Sequence, residues 1–198
     1  MKVLWIGGWG TSPAWGLTAV RRWRPSWTHE WVTPSPRCAE WADGSHDWVG
    51  GYSLGACLIL RRPEEFPAKR EQFFVAPFLD LKREAGLGGL VATTQLKVTR
   101  KWLRRDPMAA LNDFYQRAGL NLTLSDALPY AAEDLAWGLD ILLSEPPPFP
   151  QSDPGLAVIG ANDPLVDADR IKGFFPRNMV VEGAGHHLDE LRGSLKLQ

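Results

Sequence analysis

The feature that most restricts how this chain can fold is a serine held between two glycines, Gly51-Tyr52-Ser53-Leu54-Gly55, where one hydrophobic pattern gives way to another. Ahead of it, Asp47 to Gly50 reads as a short buried strand; behind it, Ala56 to Arg61 turns helical. A serine on so sharp a strand-to-helix turn adopts strained backbone angles, and only residues without a Cβ fit beside it. Such a turn needs a sheet for the strand and a helix packed on that sheet, so the expected class is α/β.

The rest of the chain agrees. Lys2 to Ile6 is a short apolar run that breaks at Gly7-Gly8-Trp9-Gly10, which predicts a buried strand and a tight turn. Thr18 to Trp23 reads as a short helix, and His29 to Thr33, Phe73 to Pro77, Leu156 to Gly160 and Asn178 to Glu182 as further strands. About six strands separated by helical or irregular crossovers make a mainly parallel sheet, in which ligands bind beyond the carboxyl ends. Between the fourth and fifth strands, about Leu81 to Leu143 reads as a helical insertion. Asp106-Pro107 looks like a helix start and Gly119 like a stop, with Leu111, Phe114, Tyr115 and Ala118 on one apolar face. Leu135, Leu139 and Leu142 form a second such series. With 198 residues there is room for one functional unit: a core of residues 1–80 and 144–198, and a lid of residues 81–143.

Three polar residues fall at the same sheet edge. Ser53 follows the third strand, Asp163 follows the fifth in Gly160-Ala161-Asn162-Asp163-Pro164, and His186 follows the sixth in Gly183-Ala184-Gly185-His186. A serine hydroxyl is a poor nucleophile until an imidazole takes its proton, and a carboxylate must hold that imidazole in the right tautomer. The chain order Ser, Asp, His is the order used by α/β-hydrolases. His187 is the alternative base, and the Gly-x-Gly-His spacing selects His186. The backbone amides of Leu54, just after the serine, and of Trp9, in the first turn, are the candidate oxyanion donors. Trp9, through its indole, and Tyr52, beside the serine, are candidate substrate contacts.

Composition narrows the partners. Lys plus Arg number 22 against 23 Asp plus Glu, a net charge of −1, so no global field favours nucleic acid or an anionic membrane. No apolar run could span a bilayer and the N-terminus shows no secretory pattern, so a cytoplasmic location is expected. Cys38 and Cys57 lack metal-ligand or disulfide spacing, and neither metal nor cofactor is expected. The ten tryptophans cluster early without a fixed period and read mostly as packing residues. One segment departs from neutrality. Gln95 to Arg105 carries Lys97, Arg100, Lys101, Arg104 and Arg105 and no acid, so a basic helix face could dock an acidic partner, or be merely solvated with Leu96, Trp102 and Leu103 turned inward.

Over most of its length the sequence resembles the pimeloyl-[acyl-carrier protein] methyl ester esterases of biotin synthesis, within the α/β-hydrolase superfamily. Leu4 to Gly10 is similar to that family's strand and His-Gly-Trp-Gly turn, with Gly7-Gly8 standing where His-Gly is usual. Val49 to Gly55 is similar to its elbow, and Trp137-Gly138-Leu139-Asp140-Ile141-Leu142 to the end of its lid. The resemblance implies Ser53, Asp163 and His186 as the triad, the Trp9 and Leu54 amides as the oxyanion hole, and Phe114 as a lid aromatic that contacts substrate. It also implies an esterase that releases methanol from pimeloyl-carrier protein, with the acidic carrier as partner. A monomer is the expected state, which the sequence itself does not fix. The residues by themselves leave open a general short-chain carboxylesterase, a thioesterase, a lyase of menaquinone synthesis, or a non-catalytic protein that binds a carrier through the lid.

Overall fold

The computed structural model describes residues 1–191 except 123, 125, 147 and 149–152. Its sheet is made from β1 (Lys2–Ile6), β2 (Thr28–Val32), β3 (Trp48–Tyr52), β4 (Glu71–Val75), β7 (Leu156–Gly160) and β8 (Asn178–Val181). They lie in the order β2-β1-β3-β4-β7-β8, and every pairing is parallel. Parallel neighbours cannot be joined by hairpins, so each connection crosses a face and leaves the strand ends free at one edge.

Side-chain alternation along the strands divides the core into two layers. Val3, Trp5, Tyr52, Phe73, Val75 and Val158 face α1 (Pro13–Trp23) and α7 (Leu188–Leu191). Leu4, Ile6, Val49, Phe74, Ala157 and Ile159 belong to the other layer, with α2 (Leu54–Arg61) and α6 (Ala168–Lys172). The first layer has few helices and fills its volume with indoles. Trp5 stacks on Trp31 at 6.0 Å between centroids and meets Trp23 and Phe73 edge-on at 5.6 and 4.8 Å. Each such pair adds about 1 kcal/mol beyond the area it buries.

α1 starts at Pro13, earlier than the expected Thr18, because Ser12 caps it and Pro13 occupies the first helical position. α2 likewise starts at Leu54 and not Ala56. Gly16, inside α1, meets the Trp31 indole so closely that an added Cβ would overlap the ring. Gly16→Ala should therefore lower the melting temperature: overpacking by about 1–3 kcal/mol outweighs the helix-propensity gain of about 1 kcal/mol. A melting temperature at or above wild type would show that Trp31 can move aside.

Between β4 and β7 the chain first forms β5 (Asp80–Lys82) and β6 (Gly88–Val91), a small two-stranded sheet where only helix was expected. Then come α3 (Thr93–Leu103), α4 (Pro107–Arg117) and α5 (Ala132–Leu143). Asp106 caps α4, accepting from the Ala109 amide at 3.0 Å, and Gly119 takes the left-handed conformation after its end. α3 packs on both α4 and α5. The buried Lys82 ammonium donates to the Leu143 and Ser144 carbonyls at 3.3 and 2.9 Å, closing the C-terminus of α5 and tying it back to β5.

Candidate active site

Ser53 sits between β3 and α2 with φ 54° and ψ −114°, one of two non-glycine residues at positive φ among those described. Such a conformation costs about 1–3 kcal/mol and needs rigid surroundings. The flanking glycines supply them. A Cβ on Gly51 would overlap the Ala56 backbone, and one on Gly55 would overlap the Ile6 carbonyl, so the strand, turn and helix approach closer than any other residue allows. The Ser53 amide donates to the Val75 carbonyl at 2.9 Å, and the Ser53 carbonyl accepts from the Cys57 amide at 3.1 Å, fixing the turn at both peptides.

The three polar residues from separate strand ends come together. His186 Nε2 lies 2.9 Å from Ser53 Oγ, and Nδ1 lies 2.6 Å from Asp163 Oδ2. Asp163 Oδ1 accepts from the Leu165 amide at 2.8 Å. With an acceptor carboxylate at Nδ1, the proton belongs there and the Nε2 lone pair is directed at the serine hydroxyl. Ser53, Asp163 and His186 are 6%, 5% and 1% exposed, so the chain of bonds is shielded from competing water.

The histidine loop is held by groups that sequence reasoning missed. The Glu190 carboxylate accepts from the Gly185 amide at 2.6 Å, and the Asn162 amide donates to Ala184 at 2.8 Å. Tyr52, expected to touch substrate, is instead fully buried in the tryptophan layer, and its hydroxyl donates to the His186 carbonyl at 2.9 Å. The cause is strand alternation, which turns residue 52 to the same face as Trp48 and away from Val49; burial also holds its phenol well above the ordinary tyrosine range. His187 occupies a different place: its Nδ1 accepts from the Asp189 amide at 3.2 Å and its ring meets Trp15 edge-on at 5.6 Å.

Leu54 is the first residue of α2, where an amide has no intrahelical partner. A Cβ on Gly8 would lie 3.3 Å from Ser53 Cβ, so the first turn comes close to the serine. Gly7 is required as well. The Trp31 indole occupies the volume beside it, which accounts for the absence of the histidine usual in the resembled family. Trp9 is 2% exposed; its indole donates to the Leu135 carbonyl at 2.7 Å and meets Phe114 edge-on at 4.8 Å. A Cβ on Gly138 would stand 2.7 Å from the Trp9 ring, so the small residue lets α5 settle onto it. Gly10 donates its amide to Tyr130 Oη at 2.8 Å, and its carbonyl accepts from the Tyr115 hydroxyl. Burial pushes the Tyr115 phenol up to about 12 and the Tyr130 phenol higher still, so both remain protonated.

On α3 and just past its end, Lys97, Lys101, Arg104 and Arg105 are exposed. Arg100 differs: its guanidinium makes a two-pronged pair with Asp140 of α5, at 2.8 and 2.9 Å, which raises the arginine pKa and lowers that of the carboxyl. It ties two helices together and is not free for a partner. Trp102 does not turn inward with Leu96 and Leu103; it is 37% exposed beside Val98 at 61%. Among the described residues no group of three or more His, Cys, Asp or Glu side chains could hold a metal ion. Nor is any helix among them long and apolar enough to cross a membrane.

No family model matches the sequence, and no curated protein does. Solved structures do match. An esterase from Exiguobacterium antarcticum superposes with a TM-score of 0.66 at 11% identity, over 94% of this chain and 85% of that one. A hydrolase from Oleispira antarctica gives 0.59 at 11%, over 96% and 85%. BioG from Haemophilus influenzae gives 0.50 at 14%, over 93% and 88%. With the parallel sheet and the turn at Ser53, these likenesses show that the chain has the α/β-hydrolase fold.

Proposed function

We propose that the protein is a serine carboxylesterase that hydrolyses the methyl ester of pimeloyl-acyl-carrier protein. The observation that carries the reading is the continuous bonded chain Asp163–His186–Ser53 at a strained strand-to-helix turn. Ser53 Oγ attacks the ester carbonyl while His186 Nε2 takes its proton, and Asp163 stabilises the imidazolium. The amides of Trp9 and Leu54 receive the carbonyl oxygen as it becomes an oxyanion. Collapse breaks the bond to methoxide, which leaves as methanol with the proton from His186. Water then attacks the acyl-enzyme, giving up a proton to the same nitrogen, and the free carboxylate and Ser53 hydroxyl are regenerated.

Two observations support the substrate class. Lys97, Lys101 and Arg105 recur every four residues on and just past α3, beside the exposed Val98 and Trp102, a mixed basic and apolar surface suited to an acidic carrier protein. A cavity of about 330 Å³ lined by Ser12, Trp15, Tyr115, Leu122, Leu124 and Leu128 lies beside the first turn, a volume in the range of small-molecule sites. The sequence resemblance points to the same substrate.

Changing Lys97, Lys101 and Arg105 together to Glu should raise KM for the carrier-linked ester by about tenfold and leave a small free ester nearly unchanged. Arg100 is left intact so that its pair with Asp140 is preserved. High salt should imitate the substitutions for the carrier substrate alone. Equal losses on both substrates would mean that these residues support the helix and do not dock a carrier. Growth of a biotin-requiring strain that lacks its methyl ester esterase tests the whole reading. Failure to restore growth, with p-nitrophenyl esters or acyl thioesters turned over well, would place the protein among general esterases or thioesterases.

A further inference from the structure

The candidate oxyanion donor, the Trp9 amide, lies in a four-residue turn, Gly8-Trp9-Gly10-Thr11, closed by the Thr11 amide to the Gly8 carbonyl at 3.2 Å. Gly10 has φ 76° and Trp9 a negative φ, which makes it a type II turn, where the third position needs a glycine. The peptide joining Gly8 to Trp9 is trans, so fixing its carbonyl on one side fixes its N–H on the other. That carbonyl is gripped twice: besides the turn bond, the Thr11 hydroxyl donates to it at 2.9 Å. Thr11 is 1% exposed, and its hydroxyl has no other partner among the described residues.

The next peptides are held from outside the turn. The Gly10 amide donates to Tyr130 Oη at 2.8 Å, the Gly10 carbonyl accepts from Tyr115, and the Trp9 indole donates to Leu135 at 2.7 Å. Tyr115, Tyr130 and Leu135 all belong to the segment between β4 and β7. A flip of the Trp9–Gly10 peptide would break the Tyr130 bond, and rotation of the Gly8–Trp9 peptide would break both Thr11 bonds.

We propose that Thr11, Tyr115 and Tyr130 are positioning residues that aim the Trp9 amide, and that the oxyanion hole is complete only while the helical insertion is seated on the first turn. The proposal rests on the esterase reading. It adds that closure of the insertion and assembly of the hole are one event, since lifting the insertion releases both sides of Gly10.

The test uses steady-state kinetics on a soluble p-nitrophenyl ester, together with inhibition by an alkyl trifluoromethyl ketone, whose serine adduct places an oxyanion in the hole. Thr11→Val keeps the shape and removes the hydroxyl. It should lower kcat by about tenfold to a hundredfold, short of the loss of a donor itself, with KM within about twofold. Ketone affinity should fall by a similar factor, and Thr11→Ser should restore both to within about threefold of wild type. The double variant Tyr115→Phe, Tyr130→Phe should behave like Thr11→Val, and it decides the matter if Thr11→Val does not fold. Values of kcat within twofold of wild type in the folded variants, or a loss of kcat with ketone affinity unchanged, would overturn the proposal. Ser53→Ala separates the two levels: if it retains turnover the esterase reading fails, whereas an inactive Ser53→Ala beside a fully active Thr11→Val sinks the positioning role alone.

Discussion

Ser53→Ala should reduce ester hydrolysis by about 10⁴-fold or more, because it removes the attacking oxygen and no other hydroxyl is bonded to His186 Nε2 among the described residues. The fold should survive. The substitution deletes one hydrogen bond, worth about 1 kcal/mol, and alanine tolerates the positive φ no worse than serine does. Unchanged circular dichroism, a melting temperature within a few degrees, and loss of labelling by a fluorophosphonate would be the accompanying signs. A folded variant that turned over esters within a few-fold of wild type would refute the nucleophile assignment.

The second large effect separates adjacent histidines. His186→Ala should be nearly as damaging as Ser53→Ala, since in a triad one imidazole serves as base in attack and as acid toward the leaving group. His187→Ala should cost about threefold or less in kcat, because that ring accepts from the Asp189 amide and packs on Trp15, with His186 holding both Ser53 and Asp163. Purified variants assayed side by side on one ester decide it. The reverse ranking would transfer the role to His187 and require the loop to rearrange.

What could be read from the sequence follows the range of the interactions involved. The strands of the sheet are short apolar runs between turn residues, a local pattern, and the sheet is parallel as expected from their spacing. Ser53, Asp163 and His186 were detectable because each stands in its own glycine-rich or Asp-Pro turn, and the structure brings them within bonding distance. Residues acting across long separations left no such mark. Tyr130 and Tyr115 reach Gly10 over 120 and 105 positions, and Arg100 finds Asp140 over 40. Nothing near any of them in sequence announces a partner. Tyr52 was misjudged for another reason: adjacency to the serine suggested contact with substrate, whereas the strand's two-residue period sends its ring to the opposite layer. The β5–β6 pair left no mark because Asp80–Lys82 has only three residues and Gly88–Val91 opens on two glycines, so neither presents an apolar run or an alternation.

The tryptophan layer makes this protein easy to watch with light. Trp5 and Trp31 stand 6.0 Å apart with their planes 20° from parallel, close enough for their excited states to mix. The pair should give a paired positive and negative band in the ultraviolet circular dichroism spectrum, lost when that half of the core melts. Trp9 lies in the other layer, with its indole on the insertion, so its emission should respond when the insertion lifts while the paired bands stay constant. Two optical signals from one unlabelled chain would then distinguish opening of the site from unfolding. Trp9→Phe would identify which part of the emission belongs to the opening.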